Sequence, residues 1–476
     1  MYNKFFIVIL FLLAGMQLFA QKTTGFNLYK NFSIKGDSRV IGNNIVSLHT
    51  TNPYNDVGYK AKKNDRLPMV YIDIDNDSNT FSSSSANMTI PESASSIAYA
   101  ALYWAAIYEY EEAEMKRRRT GYEFVPVKPR VETFNKVLLK TPEGEYKPVQ
   151  GSVLEDYKDS IGRPYLCYAE ITDILKSTSK TSGIYTVANV RATQGHILGG
   201  SSGGWMMYVV YKDESLSKKE FTLFNGFQSV EKSEFELNIL ARDSLSTSIT
   251  LGVLEGDERL KTDEISLKYS EEAPPQAIAS SVRPAHNFFN SSITINDEVF
   301  IERNPNSLNT LGFDIASFNL PIKKTNLEDE VKLNLKTVRD KFLLFFTALQ
   351  TNVEETKAPL SLSTERQLAI QDSTPKVDND TILLKSIKVK QTLKIPSQST
   401  GYYLITNVFS EQKLANNWKQ HLEKDGFNPK SFVNSKNSWE YVYINYSEKV
   451  EDLYADYTKY KKKDLYKEIW ILEIKD

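Results

Sequence analysis

Between residues 22 and 350 short apolar runs alternate with turns. The segments 68–74, 96–106, 183–190, 204–212 and 247–254 are such runs, and Gly, Asn and Ser punctuate the chain between them. Strand-length runs separated by turn-formers predict an all-β sandwich or a pair of sandwiches. In Trp205-Met206-Met207-Tyr208-Val209-Val210-Tyr211 both alternating sets are apolar, which predicts a central strand buried on both faces. Segment 109–119 interrupts the pattern: Glu109, Glu111, Glu112 and Glu114 precede Met115-Lys116-Arg117-Arg118-Arg119. Acid followed by base predicts a short solvated helix or an ordered loop insertion, with a basic docking patch as the other reading.

The pattern changes after residue 351. Thr, Ser, Glu, Lys and Asp dominate 356–379, without an aromatic residue, which predicts a linker. Segment 381–395 alternates in part, with a slip of phase between Leu384 and Ile387, as in a short hairpin packed on a neighbour. From residue 401 the pattern predicts a strand over 401–410, a helix over 413–422 and a turn at Lys424-Asp425-Gly426-Phe427. A strand over 440–446, a second helix and a strand over 468–474 follow. A β–α–β unit made twice predicts a small α+β sheet with one open face. The expected organisation is a leader (1–20), a β-sandwich region of one or two subdomains (21–351), a linker (352–400) and an α+β module (401–476).

With 41% hydrophobic and 25% charged residues the 476-residue chain is globular rather than disordered, and its net charge of −2 offers nucleic acid no basic field. At the N-terminus, Lys4, the apolar stretch from Phe5 to Ala14 and Leu18-Phe19-Ala20 read as a secretion signal with Gln21 as the first mature residue. No later stretch is long enough for a membrane span, so none is expected after cleavage. No cysteine lies near the cut for a lipid anchor. The single cysteine, Cys167, sits in an apolar run and reads as a core residue.

Candidate chemistry is sparse. Asp73, Asp75, Asp77 and Asn79 alternate as calcium ligands do in a tight loop. The EF-hand pattern fails, because Ser78 stands at the turn glycine and Ser84 at the bidentate glutamate. What remains is a non-EF calcium loop, or acids that cap the amides of Thr80 and Ser82. Glu255-Gly256-Asp257-Glu258 with Asp263 is a second loop of this kind. The glycines of 199–204 lack a P-loop lysine and precede a strand, which predicts a plain turn. The four histidines stand in no metal-binding spacing, and no nucleophile elbow is present. The expectation is a non-enzymatic protein that requires no cofactor.

The C-terminal segment, Gly401 to Asp476, resembles the SPOR domain, a peptidoglycan-binding module of ferredoxin-like fold. The strand from Tyr402 to Phe409, helix positions Ala415 and Leu422, the turn Gly426-Phe427, the hairpin strand from Trp439 to Tyr446, the helix with Tyr454, Tyr457 and Tyr460, and Ile469-Trp470-Ile471-Leu472 carry the resemblance. It implies binding of glycan strands stripped of stem peptides on the open sheet face. Strict alternation puts Tyr403, Ile405 and Asn407 on one face of the first strand, and Tyr441, Tyr443 and Asn445, with Trp439, on one face of the hairpin strand. Tyr403, Ile405, Asn407, Trp439, Tyr441 and Tyr443 are therefore the expected glycan contacts. The chain departs from the family at Ile405, Asn407 and Tyr441, where glutamine, glycine and arginine are common.

Residues 27–350 are similar to the β-rich region of exported Bacteroidetes proteins linked to gliding adhesins and type IX secretion. The phrases that carry this are Ile41-Gly42-Asn43, Asp73-Ile74-Asp75-Asn76-Asp77, Ala101-Leu102-Tyr103-Trp104, Gly199-Gly200-Ser201-Ser202-Gly203-Gly204-Trp205, Leu254-Glu255-Gly256-Asp257 and the run from Asn304 to Asp314. The two resemblances imply a protein of the periplasm or outer membrane that ties a scaffold to peptidoglycan and docks an outer-membrane or gliding partner. The alternative is a cell-surface adhesin or carbohydrate-binding protein.

Overall fold

The computed structural model describes residues 25–240, 246–270, 273–322, 330–353, 391–395, 398–409, 412–434, 439–461, 466 and 469–475. The expected leader and most of the expected linker lie outside these residues. The chain divides into two compact units, 1–360 and 361–476. Both are built mainly from β-strands.

The first unit is organised around an eleven-stranded sheet. Its spine is the 18-residue strand Asn27–Asn44. The first half of this strand pairs with Lys218–Glu231, and its second half pairs with Gly203–Lys212. One strand thus joins two halves of the sheet. The first half-sheet holds Ser96–Ile107, Pro164–Glu170 and Gly203–Lys212, and a five-stranded sheet including Ser83–Met88, Gly183–Ala188 and Lys136–Lys140 covers it. The second half-sheet holds Lys341–Asn352, Thr247–Leu254 and Phe313–Asn319, under a four-stranded sheet including Glu234–Leu240, Glu330–Lys336 and Glu264–Lys268.

The two halves also pack on each other. Tyr103 and Tyr208 of the first meet Phe346 of the second at ring-centroid distances of 5.0 and 5.2 Å. Gly203–Lys212 therefore sends Trp205, Met207 and Val209 into one core and Met206, Tyr208 and Val210 into another. This is the physical reason why both of its alternating sets are apolar. Gly42 allows the central pairing, because a Cβ there would lie 2.4 Å from the Trp205 carbonyl oxygen.

Segment 109–119 is neither helix nor loop. Tyr110–Arg118 and Gly121–Pro129 form an antiparallel hairpin. The charges that resembled a solvated helix instead pair along and across its strands, and aromatic and β-branched residues of the return strand favour the extended form.

In the second unit the elements run Gly401–Phe409, helix Gln412–Lys424, Lys430–Asn434, Trp439–Ser447, helix Tyr454–Lys461, Trp470–Lys475. The sheet order from one edge is Gln391–Lys394, Trp470–Lys475, Gly401–Phe409, Trp439–Ser447, Lys430–Asn434. Gln391–Lys394 is thus a strand, parallel to Trp470–Lys475, within the segment expected to be linker and hairpin. Both helices cover one face: Ala415 and Leu422 pack on Val442, while Leu453, Tyr454 and Tyr457 pack around Leu404 and Ile471.

Candidate functional site

The face of the second unit turned away from the helices is aromatic. Ile395, Tyr403, Ile405, Phe432, Tyr441, Leu472 and Ile474 are its buried residues, with Tyr443 and Trp470 among those packed against them. The rings pack on one another. Tyr403 meets Phe432, Tyr443 and Tyr446 at 5.5, 5.0 and 4.8 Å, and Phe432 stacks on Tyr441 at 5.3 Å. The chain just before the first strand crosses this face. The Tyr403 hydroxyl donates to the Ser399 carbonyl (2.6 Å) and the Tyr446 hydroxyl to the Thr400 carbonyl (2.8 Å). Burial, followed by the neighbouring Tyr446 and Tyr443, pushes the Tyr403 phenol up to about 12.

The expected contact residues therefore divide. Tyr403, Ile405 and Tyr441, at 2%, 0% and 4% exposure, form a packed floor rather than an open surface. Trp439, at 47%, and Asn407 are exposed, and Tyr443 is half-buried. Trp439 is held outward by its neighbour. Glu440 turns to the opposite face, where it accepts from Lys419 Nζ of the first helix (2.9 Å) and from Ser431 Oγ (2.6 Å).

Strict alternation fails at two bulges. Ile405 pairs with Tyr443, but Asn407 pairs with Val442 and Val408 with Tyr441, so the phase slips at Thr406. Val408, rather than Asn407, packs into the aromatic cluster. In the partner strand Leu404 pairs with Asn445 while Ile405 pairs with Tyr443, so Ile444 is bulged. Asn445 accordingly leaves the aromatic face and donates to Asp456 of the second helix (2.7 Å). Tyr446 takes its place. A bulge inserts one residue into one strand and reverses the facing of all that follow. Strict alternation misplaced Val408 and Tyr446, and Phe432 and Trp470 are further aromatic members from neighbouring strands.

Asp73, Asp75, Asp77 and Asn79 are brought together, but by hydrogen bonds of their own chain. Asp75 accepts from the Tyr146 hydroxyl, Ser83 Oγ (3.0 Å), Thr80 Oγ1 (3.2 Å) and the Asp77 amide (3.2 Å). Asp73 accepts from Ser83 Oγ at 2.8 Å, and Asp77 accepts from the amide of Asn79 at 2.9 Å. Burial alone would raise the Asp75 carboxyl, but the donors from Tyr146, Asp77 and Ser83 outweigh it and hold it below the usual carboxylate range. Among the described residues, no three His, Cys, Asp or Glu side chains are placed to hold a metal ion. The Thr80 amide bonds instead to the Asp77 backbone carbonyl at 3.0 Å.

The second acidic loop is a buried carboxyl cluster. Desolvation, then the like charges of Asp340 and Asp257, push Glu255 up to about 8. Asp340 is also pushed to about 8 and Asp263 to about 7, in each case first by burial. One oxygen of each of these three side chains is enclosed and has no hydrogen-bond partner. Asp340 and Asp263 are separated from Glu255 in sequence, so only the tertiary fold forms the group.

Asn43, Gly256 and Asp314 lie at close contacts inside the first unit. Asn43 Nδ2 donates to the carbonyls of Ser85 and Pro305, and Arg303 donates to Asn43 Oδ1. A Cβ at Gly256 would lie 2.2 Å from Asp314 Oδ2. Asp314 in turn pairs with the fully buried Arg283 at 3.0 Å.

No protein-family model and no curated protein matches the chain. Among solved structures it is similar to the major capsid protein P2 of bacteriophage PM2, with 8% identity over 67% of this chain and 99% of that one, at a TM-score of 0.17. It is also similar to the STIV MCP, with 7% identity over 66% and 97%, at a TM-score of 0.19. Among the described residues, no helix is long and apolar enough to cross a membrane.

Proposed function

We propose that this is an exported, non-enzymatic envelope protein whose second unit is a ferredoxin-like, SPOR-type module that binds peptidoglycan glycan strands. The observation that carries the reading is the strand order. Numbering the strands of the βαββαβ unit from Gly401, the sheet runs 4-1-3-2, every pair antiparallel, with both helices on one face. The opposite face carries the aromatic cluster. Sugar rings stack on aromatic faces, and amides take their hydroxyl and N-acetyl groups. The glycan is assigned to the accessible end of the face, at Trp439 and Tyr443, with Tyr403, Ile405 and Tyr441 as the floor that holds Tyr443 in place. The β-rich first unit would dock an outer-membrane partner of the gliding or type IX secretion machinery, from the resemblance of 27–350 alone.

The test is co-sedimentation of the full chain with sacculi, before and after amidase removal of stem peptides. Pelleting that rises after amidase treatment is the expected result. Trp439→Ala should lower retention by about fivefold, which corresponds to roughly 1 kcal/mol of stacking, with an unchanged circular dichroism spectrum. The burial of Tyr403, Ile405 and Tyr441 favours a second reading, in which the module docks protein and the whole is a surface adhesin. Absence of pelleting from a folded protein would select it.

A further inference from the structure

The hairpin of Tyr110–Arg118 and Gly121–Pro129 sorts its charges by face. Glu114, Lys116 and Arg118 share one face with Glu123. On that face Lys116 pairs with Glu114 at 2.7 Å and Arg118 with Glu123 at 2.5 Å, and nearer the base Lys128 pairs with Glu112. The charges of this face cancel. The other face carries the cross-strand pairs Met115/Phe124 and Arg117/Tyr122. Arg117, and Arg119 in the turn, have no ion-pair partner among the described residues, both are exposed, and Tyr122 is 65% exposed.

The base of the hairpin is fixed. Gln194–Gly195 pairs with Glu112 and Ala113, and Glu111 is held by Arg191 at 2.9 Å and by the Tyr108 hydroxyl. An arm anchored at its base thus presents a narrow apolar strip ending in uncancelled positive charge. Exposed aromatic surface and unpaired guanidinium groups lie side by side on one face.

We propose that this strip is a peripheral docking surface for an anionic phospholipid membrane. Arg117 and Arg119 meet headgroup phosphates, which guanidinium groups bind through paired donors. Tyr122 sits at the headgroup level with its ring toward the acyl boundary, and Met115 and Phe124 follow it. The self-neutralised face stays in water. Attachment by so few groups is weak and reversible, and it suits a protein held a second time elsewhere.

The test uses the full chain and sedimentation with vesicles of phosphatidylcholine alone and of phosphatidylcholine with phosphatidylglycerol. Binding is expected only to the anionic vesicles and should fall as salt is raised. Each removed cation should weaken it about fivefold, so Arg117→Ala with Arg119→Ala should weaken it about twenty-five-fold. Tyr122→Ala should lower it at every salt concentration. Lys180→Ala, at an exposed lysine elsewhere on the unit that pairs with Glu143, should leave it unchanged. Equal binding to both vesicle types, binding that survives the double arginine variant, or no binding to either overturns the proposal. Retention on heparin without vesicle binding also overturns it and assigns the arm to an anionic polymer.

Discussion

Asp340 offers a direct measure of the buried carboxyl cluster. Its Oδ1 accepts the Lys341 amide at 2.8 Å, while Oδ2 is enclosed without a partner. Burial, followed by the charges of Asp257, Asp263 and Asp314, holds its carboxyl near 8. In the unfolded chain the same group ionises near its ordinary value of about 4. The folded state therefore binds the extra proton between about pH 4 and 8, and stability falls as pH rises through that window. The full penalty is present above pH 8. Each tenfold weakening of the acid corresponds to about 1.4 kcal/mol, so the ceiling is about 6 kcal/mol. Relaxation of the surroundings and entry of water around the new charge lower this to on the order of 2–3 kcal/mol.

Asp340→Asn keeps the acceptor for Lys341 and removes the titration. The variant should gain on the parent between pH 5 and pH 8 by about that amount, or a few degrees in Tm for a unit of this size. Thermal unfolding across pH 5 to 8 is the assay. A difference between parent and variant that is the same at both ends would refute the claim that the fold holds this proton.

Two further outcomes follow from buried groups. Arg283 donates to Thr294 Oγ1, to the carbonyls of Phe288, Ser292 and Ile315, and to Asp314. Asp314→Ala strands that guanidinium and should cost about 3–5 kcal/mol in denaturant unfolding. Arg283→Met with Asp314→Ala should not restore the parent, because three carbonyls lose their donor. Burial raises the Cys167 thiol well above its ordinary value, and the residue is fully enclosed. A thiol reagent should leave it unmodified in the native protein and label it on unfolding, since the thiolate is the reactive form. Rapid native labelling would contradict the packing of the first core.

What the chain determined by itself is what depends on local pattern. Alternating apolar runs specified strands, and the two apolar sets of 205–211 specified a strand buried on both sides, because each side chain's facing follows from its position in the strand. Three of the strands and both helices after residue 401 were legible for the same reason, as were Ala415 and Leu422 on the helix face that packs on the sheet, but the strand Lys430–Asn434 was not. Segment 109–119 was misread because its charges suit a solvated helix as well as a hairpin, and only cross-strand partners such as Glu123 and Lys128 decide between them. Within the candidate site, the aromatic residues were legible but their exposure was not. Bulges at Thr406 and Ile444 moved Asn407 and Asn445 off the face and brought Tyr446 onto it. The crossing at Ser399 and Thr400 closed over Tyr403. Of the carboxyl cluster, Glu255 and Asp263 were legible as an acidic loop, but their burial was not, and Asp340 left no local mark. Facing within one strand is a local property of the backbone, whereas burial, like-charge proximity and the phase beyond a bulge depend on residues far away in the chain, which only the folded structure brings together.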